Sequence, residues 1–512
     1  MFIGNKTAKQ ALRFMMVKTK RDNSYSHILK YTGLFGGVQG LNILVGIVRN
    51  KLVAMILGPD GMGLVSLFNS TIKLVSDSTN LGLPMSAVKD LSQAFDSGNA
   101  DRLNREIKII RLWSLATAVL GLVVCLLFSP LLNKWTFAWG DHTLHFVLLS
   151  PVVALMAITG GETAILKATR RLRCLAEVSV YNVLSALVIS VPVYYFFGQA
   201  GIVPSFLLLA VAQCLLTIGC SFRFYPLRLE FSSKLFVEGG GMMRLGIAFV
   251  IAGILGSGAE FLVRTYLNNV GDLASVGLYN AGFVMTMTYS GMVFSAMETD
   301  YFPRLSGIGS LGAELNRTVN QQVEVSLLLI SPLLVFFLIG LPLLLPMLYS
   351  GKFMPVIGMM KFMVMAMYVR AMMLPIEYIP LSRGDSRSYL LLEAVYDVAF
   401  VACVVAGYCL YGLTGTGIGV LVAVVVSFVA DVAYARWKYG YCLSKEVKLY
   451  AFVQIAIGCG ALAVALLADG VAYWSAGLLA ALVSCAVSLK ILHSKTHLWD
   501  KLKKKFCKHG KQ

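Results

Sequence analysis

Charge is scarce in this chain, and acidic charge scarcest: 14% of the residues are charged, and 26 acidic residues face 44 basic ones. With 57% hydrophobic residues beside so little charge, a soluble domain is excluded. The apolar runs do not alternate with polar residues, which excludes a β-barrel. The ten cysteines form no C-x-x-C pair and no regular framework, so they are expected to be small packing residues. Six histidines are spread so widely that no metal centre is expected; His142 and His145 share a loop face but lack further ligands. There is no phosphate-binding glycine loop ending in Lys-Ser or Lys-Thr, and no acidic diphosphate-metal motif. ATP-driven chemistry and a metal-dependent transferase fall away together, and no cofactor is expected. No small-residue cleavage site follows a short apolar core, so the first span is expected to be an uncleaved anchor.

What is present is length. Apolar runs of about 20 residues recur at a mean hydropathy of +0.74, which predicts an all-α polytopic membrane protein. Fourteen spans are expected, near 31–57, 62–93, 107–131, 143–168, 174–197, 202–222, 244–268, 274–301, 319–348, 354–382, 388–410, 416–437, 447–468 and 473–492. An even number puts both termini on one side. Roughly 35 of the 44 Lys and Arg then fall in loops on that side, against Lys134 and Lys352 opposite, so both termini are expected in the cytoplasm. Topology thus accounts for the net charge of +18, and no nucleic-acid partner is expected. The tail Lys501-Leu502-Lys503-Lys504-Lys505 suits anionic lipid.

The chain also repeats itself. Val48-Arg49 recurs as Val263-Arg264, Gly63-Leu64 as Gly277-Leu278, Leu91-Ser92 as Leu305-Ser306, and Glu162 as Glu377. Tyr181-Asn182-Val183 recurs as Tyr396-Asp397-Val398, and Ala200-Gly201 as Thr414-Gly415, always at an offset of 214 or 215. A constant offset across six helices predicts two six-helix lobes around a central cavity, with a C-terminal helix pair added. The expected divisions are a basic segment 1–30, an N-lobe 31–223, a linker 224–243 containing Gly239-Gly240-Gly241, a C-lobe 244–440, a terminal helix pair 441–492 and a basic tail 493–512.

A guanidinium in hydrocarbon costs roughly 3 kcal/mol even on lenient scales, so charges inside the spans are the candidate functional residues. On the first span Gln39, Asn42 and Arg49 share one stripe at 3.6 residues per turn. On the second, Asn69, Lys73, Asp77, Asn80 and Pro84 make another, with Lys73 and Asp77 spaced to pair. Glu260 and Arg264 are again four apart on the seventh. Arg370 sits in mid-span on the tenth, with Glu377 two turns on. The substrate-binding candidates are therefore Arg49, Arg264, Arg370, Lys73, Asn42 and Gln39, a cationic and hydrogen-bonding set suited to a phosphorylated, hydroxyl-rich cargo. Asp77, Glu260 and Glu377 are the candidates for proton or sodium coupling.

Gly58-Pro59-Asp60-Gly61-Met62-Gly63, Lys89-Asp90-Leu91-Ser92-Gln93, Phe302-Pro303-Arg304-Leu305-Ser306 and Leu381-Ser382-Arg383-Gly384-Asp385 resemble the Wzx-type polysaccharide flippases of the multidrug/oligosaccharidyl-lipid/polysaccharide exporter superfamily. The O-antigen and enterobacterial common antigen translocases are the nearest in pattern, to about residue 440. The resemblance implies a non-enzymatic flippase in the bacterial inner membrane. It would carry an undecaprenyl-diphosphate-linked oligosaccharide to the outer leaflet by alternating access, driven by an ion gradient and alongside other polysaccharide-assembly membrane proteins. Gly46-Ile47-Val48-Arg49-Asn50 also resembles the first span of the lipid II flippases, which implies a cavity role for Arg49. Their further Arg on the eighth span has no counterpart at Tyr279-Asn280-Ala281-Gly282, so a glycan other than peptidoglycan precursor is expected. The rivals are a lipid II flippase, a multidrug and toxin extrusion-type cation antiporter, which would want carboxylates and aromatics in its pocket, and a sugar polymerase or ligase, which would want large outer loops.

Overall fold

A bilayer offers the backbone no hydrogen-bond partners, so a chain this apolar must close its amides within helices. The computed structural model describes residues 4–137, 140–227, 233–288, 290–291, 294, 301–302, 304–308 and 311–496, and the secondary structure there is helical. Among the described residues, ten helices are long and apolar enough to cross a membrane. Three of these stretches turn back on themselves. Helix α1, Gly4–Thr79, breaks at Gly58; α5, Leu172–Phe197, passes to α6, Ile202–Phe222, through one 3-10 turn; and α11, Ser386–Tyr439, breaks at Tyr411 and Gly412. Counting both arms of each gives thirteen apolar segments among the described residues, and α8, Leu273–Phe283, lies in a further apolar stretch that is shorter than a span. The remaining helices are α2, Leu83–Asp96; α3, Ala100–Thr136; α4, Thr143–Ala168; α7, Ser233–Val270; α9, Ala313–Leu348; α10, Ile357–Ser382; α12, Lys445–Leu467; and α13, Gly470–Thr496. Residues Lys501 to Lys505 of the basic tail lie outside the described residues.

The internal repeat is written into the backbone. Gly98 and Gly312, Arg170 and Gly384, and Gly198 and Gly412 all have positive φ, and each pair is 214 residues apart. Gly198 (φ 55°, ψ −132°) and Gly412 (φ 56°, ψ −142°) share a conformation that a Cβ would strain, so both hairpins need glycine at the same place. The second expected span is shorter than its apolar run. Leu81 and Gly82 take positive φ, and Pro84 then starts α2 as a separate helix.

The side of the molecule where α1 begins and α13 ends is called the near side below, and the opposite one the far side. On the far side, the two repeats meet at a glycine crossing. A Cβ on Gly63 would stand 2.1 Å from the Leu273 carbonyl oxygen, and one on Gly277 would stand 2.0 Å from that of Pro59. Leu273 and Gly277 are the 214-offset counterparts of Pro59 and Gly63, so the contact is isologous, like a dimer interface inside one chain. Asn268 and Asn269 add to it by donating to the Thr136 and Trp135 carbonyls at 2.8 and 2.9 Å.

On the near side, α7 begins earlier than its composition suggests. Gly239-Gly240-Gly241, expected in a linker, is helical. Gly239 lies against Trp113, whose ring would be 2.0 Å from an added Cβ, and Phe236 stacks on the same indole at 4.2 Å. The glycine serves close packing here rather than a break. Helices α12 and α13 pack on α9, where Tyr473 donates to the Ile339 carbonyl at 2.8 Å. Cys174 and Cys220 lie side by side between α5 and α6, with Cα atoms 6.3 Å apart.

Candidate functional site

Among the described residues, the polar side chains singled out from the sequence gather at three stations. The first is the seam itself, where α1 beyond Gly58 packs against α7 and α8. Arg264 is nearly buried there, with a side chain 8% exposed. Its Nε donates to Ser66 Oγ at 2.9 Å, one Nη to Glu260 Oε2 at 3.1 Å, and the other to Asn280 Oδ1 at 3.4 Å. The other Glu260 oxygen accepts from Lys73 Nζ at 3.3 Å. Glu260 therefore bridges a cation of the first repeat and a cation of the second. Lys73 does not pair with Asp77 as the spacing suggested. Asp77 faces α7, where a Cβ on Gly253 would lie 3.9 Å from its carboxyl carbon.

The second station is a cavity of about 380 Å³ beside the seam, lined by α7, α8, α10 and α11. Glu260, Arg370, Glu393 and Asp397 face it together with Phe283, Tyr396 and Phe400. The helix after α8 widens to a π turn at Val284–Thr288, and Met287 from that turn reaches the cavity wall. Such turns re-aim side chains at functional sites. Arg370 stands 5.3 Å from the Tyr396 ring centroid, and its Nη1 is buried with no hydrogen-bond partner among the described residues. The same is true of Asp397 Oδ2. A buried guanidinium nitrogen without a hydrogen-bond partner is costly, so Arg370 has donor capacity to spare at the cavity wall. Glu377, on α10, is close enough to Arg370 to act on its charge.

The third station lies away from the seam. Arg49 Nε donates to Ser190 Oγ at 2.9 Å, and Asn42 Nδ2 to Ser179 Oγ at 2.7 Å, both on α5. Asn42 and Arg49 thus present one face to α5, and Arg49 does not join Arg264 and Arg370 in a single ring. The side chain of Gln39 lies outside the described residues.

Glu393 and Asp397 carry a signal that helical spacing could have given, since two carboxylates four apart inside an apolar run are as unusual as the pairs singled out. Ser66 and Asn280 carry none, being ordinary polar residues whose role comes from what faces them. A buried ion pair was also missed. Arg111 binds Glu162 through Nε at 2.7 Å and Nη2 at 3.2 Å, Ser221 donates to the same carboxylate at 2.5 Å, and the Tyr225 and Pro226 carbonyls accept from Arg111 at 2.8 and 2.9 Å. All donors are satisfied within the first repeat, so this network is structural. Among the described residues no group of three or more His, Cys, Asp or Glu is placed to hold a metal.

The family described as polysaccharide biosynthesis protein matches residues 28–308. No curated protein matches the chain. Among solved structures it is similar to the lipid II flippase MurJ in an inward closed conformation, with a TM-score of 0.71 and 10% identity over 90% of this chain and 99% of that one. It is similar to an inward-facing multidrug resistance MATE family transporter of the MOP superfamily, with a TM-score of 0.62 and 14% identity over 80% and 96%. A MOP superfamily transporter from Pyrococcus furiosus gives a TM-score of 0.53 and 14% identity over 80% and 93%. At these identities the likeness is one of fold.

Proposed function

The chain belongs to the polysaccharide biosynthesis protein family, and on that premise we propose that it is a flippase for an undecaprenyl-diphosphate-linked oligosaccharide. It moves this cargo from the cytoplasmic to the outer leaflet of a bacterial inner membrane, with the near side in the cytoplasm. The observation that carries the reading is the Lys73–Glu260–Arg264 bridge across the seam. A diphosphate offers Lys73 and Arg264 more acceptor oxygens than one carboxylate can, so it competes with Glu260 for both. Arg370 meets the same anion from the cavity wall, and the polyprenyl chain stays in lipid.

Coupling follows from the shared carboxylate. Glu260 cannot hold both cations and a coupling ion at once. When the cargo takes Lys73 and Arg264, Glu260, which already lies on the cavity wall, is freed to form with Glu393 and Asp397 an anionic site for a proton or sodium ion. Asp77 and Glu377 are the further candidates for coupling. Arg49 and Asn42 act from α1, where it faces α5, on cargo at the edge of the first repeat.

The experiment is a complemented deletion strain. Arg264→Gln, Lys73→Gln and Arg370→Ala are expected to abolish surface glycan at normal protein level, with the lipid-linked intermediate accumulating. Full export in all three would overturn the reading. A second reading, cation antiport, draws support from the carboxylates and aromatics of the C-half cavity. It predicts cation resistance on overexpression and no glycan phenotype.

A further inference from the structure

A second cavity, of about 420 Å³, lies within the first repeat between α1, α2, α4 and α6. Its size is that of a small-ligand site. Its chemistry is the reverse of the C-half cavity: Asn69, Thr163, Lys167 and Gln213 line it, and among the described residues no carboxylate stands on its wall. Thr159, Thr163 and Lys167 recur every four residues on α4, so they form one polar stripe. Phe206, Leu209 and Gln213 make the facing stripe on α6. Gly160 lets α4 approach α2, since a Cβ there would stand 3.3 Å from Pro84.

The side chains of Asn69, Thr163, Lys167 and Gln213 make no hydrogen bond or ion pair among the described residues. Asn69, Lys167 and Gln213 are exposed and Thr163 is half-buried, so their polar groups are open to whatever fills the cavity. Asn69 is one turn from Lys73 on the same helix, so the cavity adjoins the seam. Lys167 is the last residue but one of α4 and stands at the near-side mouth.

We propose that this cavity binds the sugar portion of the cargo, which deepens the flippase reading and rests on it. Amides and hydroxyls with both donor and acceptor capacity suit vicinal hydroxyls, and Phe206 and Met156 offer apolar surface to the flat face of a sugar ring. Lys167 receives an anionic group of the cargo, either a carrier phosphate or a sugar carboxylate. The repeats thereby divide the work, with the glycan in the first and the acidic site in the second.

The test uses the full chain in nanodiscs and three probes: undecaprenyl diphosphate alone, the same carrier with a neutral disaccharide, and the carrier with a disaccharide containing a uronic acid. Thr163→Val with Gln213→Leu is expected to weaken the neutral disaccharide probe about tenfold, as loss of two hydrogen bonds implies, with the bare carrier unchanged within about twofold. Thr163→Ser with wild-type Gln213 is expected to bind normally. Lys167→Gln weakens every probe if its partner is phosphate, and the uronic acid probe alone if its partner is a carboxylate. Equal affinity of the Val/Leu variant and wild type for the disaccharide, or an equal loss for bare carrier, overturns the proposal and leaves the flippase reading standing. If wild-type protein binds none of the three, the flippase reading itself falls, and this proposal with it.

Discussion

Alanine at Gly277 should prise the far side open. The new Cβ would start 2.0 Å from the Pro59 carbonyl oxygen, 2.8 Å from its carbon and 2.9 Å from the Gly63 nitrogen. All three are backbone atoms, so no rotamer change relieves the overlap. Restoring a contact of roughly 3.5 Å requires the helices to part by more than an ångström, and most of the crossing's dispersion energy goes with it. Overpacking of this kind costs about 1–3 kcal/mol, and all of it falls on the closed state. If the far side alternates between closed and open forms, that cost shifts the equilibrium about 5- to 150-fold toward open. Spin labels on Asp60 and Asp272, both exposed far-side positions, read the change directly once the native cysteines are replaced. The label distance is expected to lengthen, and glycan export to fall. Because the crossing is isologous, Gly63→Ala should do the same to a similar degree. Unaltered distances and export in both variants would refute the argument that this crossing is the far-side closure.

Other expectations are smaller in scope. Arg111→Ala leaves Glu162 charged and buried without its partner, which should cost about 3–5 kcal/mol and lower the melting temperature in detergent sharply. The double change Arg111→Met with Glu162→Leu should recover most of that loss, and a double variant as unstable as the single would contradict the ion-pair account. Asp385 caps α11 outside the membrane. Lys438 at 2.6 Å, helped by Ser388 and Tyr439, holds its carboxyl well below the usual range. A depressed carboxylate contributes stability above its unfolded value of about 3.9 and loses it as pH falls toward the folded one. The melting-temperature gap between wild type and Asp385→Asn should therefore be steady near neutrality and close below about pH 4. A gap undiminished at pH 3 would contradict it.

The sequence discloses what depends on one helix at a time. The all-α, many-helix architecture follows from bilayer thickness, and the repeat follows from backbone turns that admit few residues, such as Gly198 and Gly412. What it conceals is which helix each polar face meets. Lys73 and Asp77 are four residues apart, yet Lys73 pairs with Glu260, 187 residues away. Arg49 shares a stripe with Asn42, and nothing within that helix says that α5 stands opposite. Gly239-Gly240-Gly241 read as a break because glycine is a poor helix former. Its reason, the Trp113 ring, lies on another helix.

The most direct test of the seam as the route is a leaflet assay. Proteoliposomes carrying undecaprenyl-diphosphate oligosaccharide are treated with an external glycosidase, with and without an imposed cation gradient. Wild-type protein is expected to expose lumenal lipid to the enzyme beyond the outer-leaflet half, and Arg264→Gln to leave that half as the limit. Equal exposure by Arg264→Gln and wild type would contradict the claim that the cargo passes between the repeats on these cations.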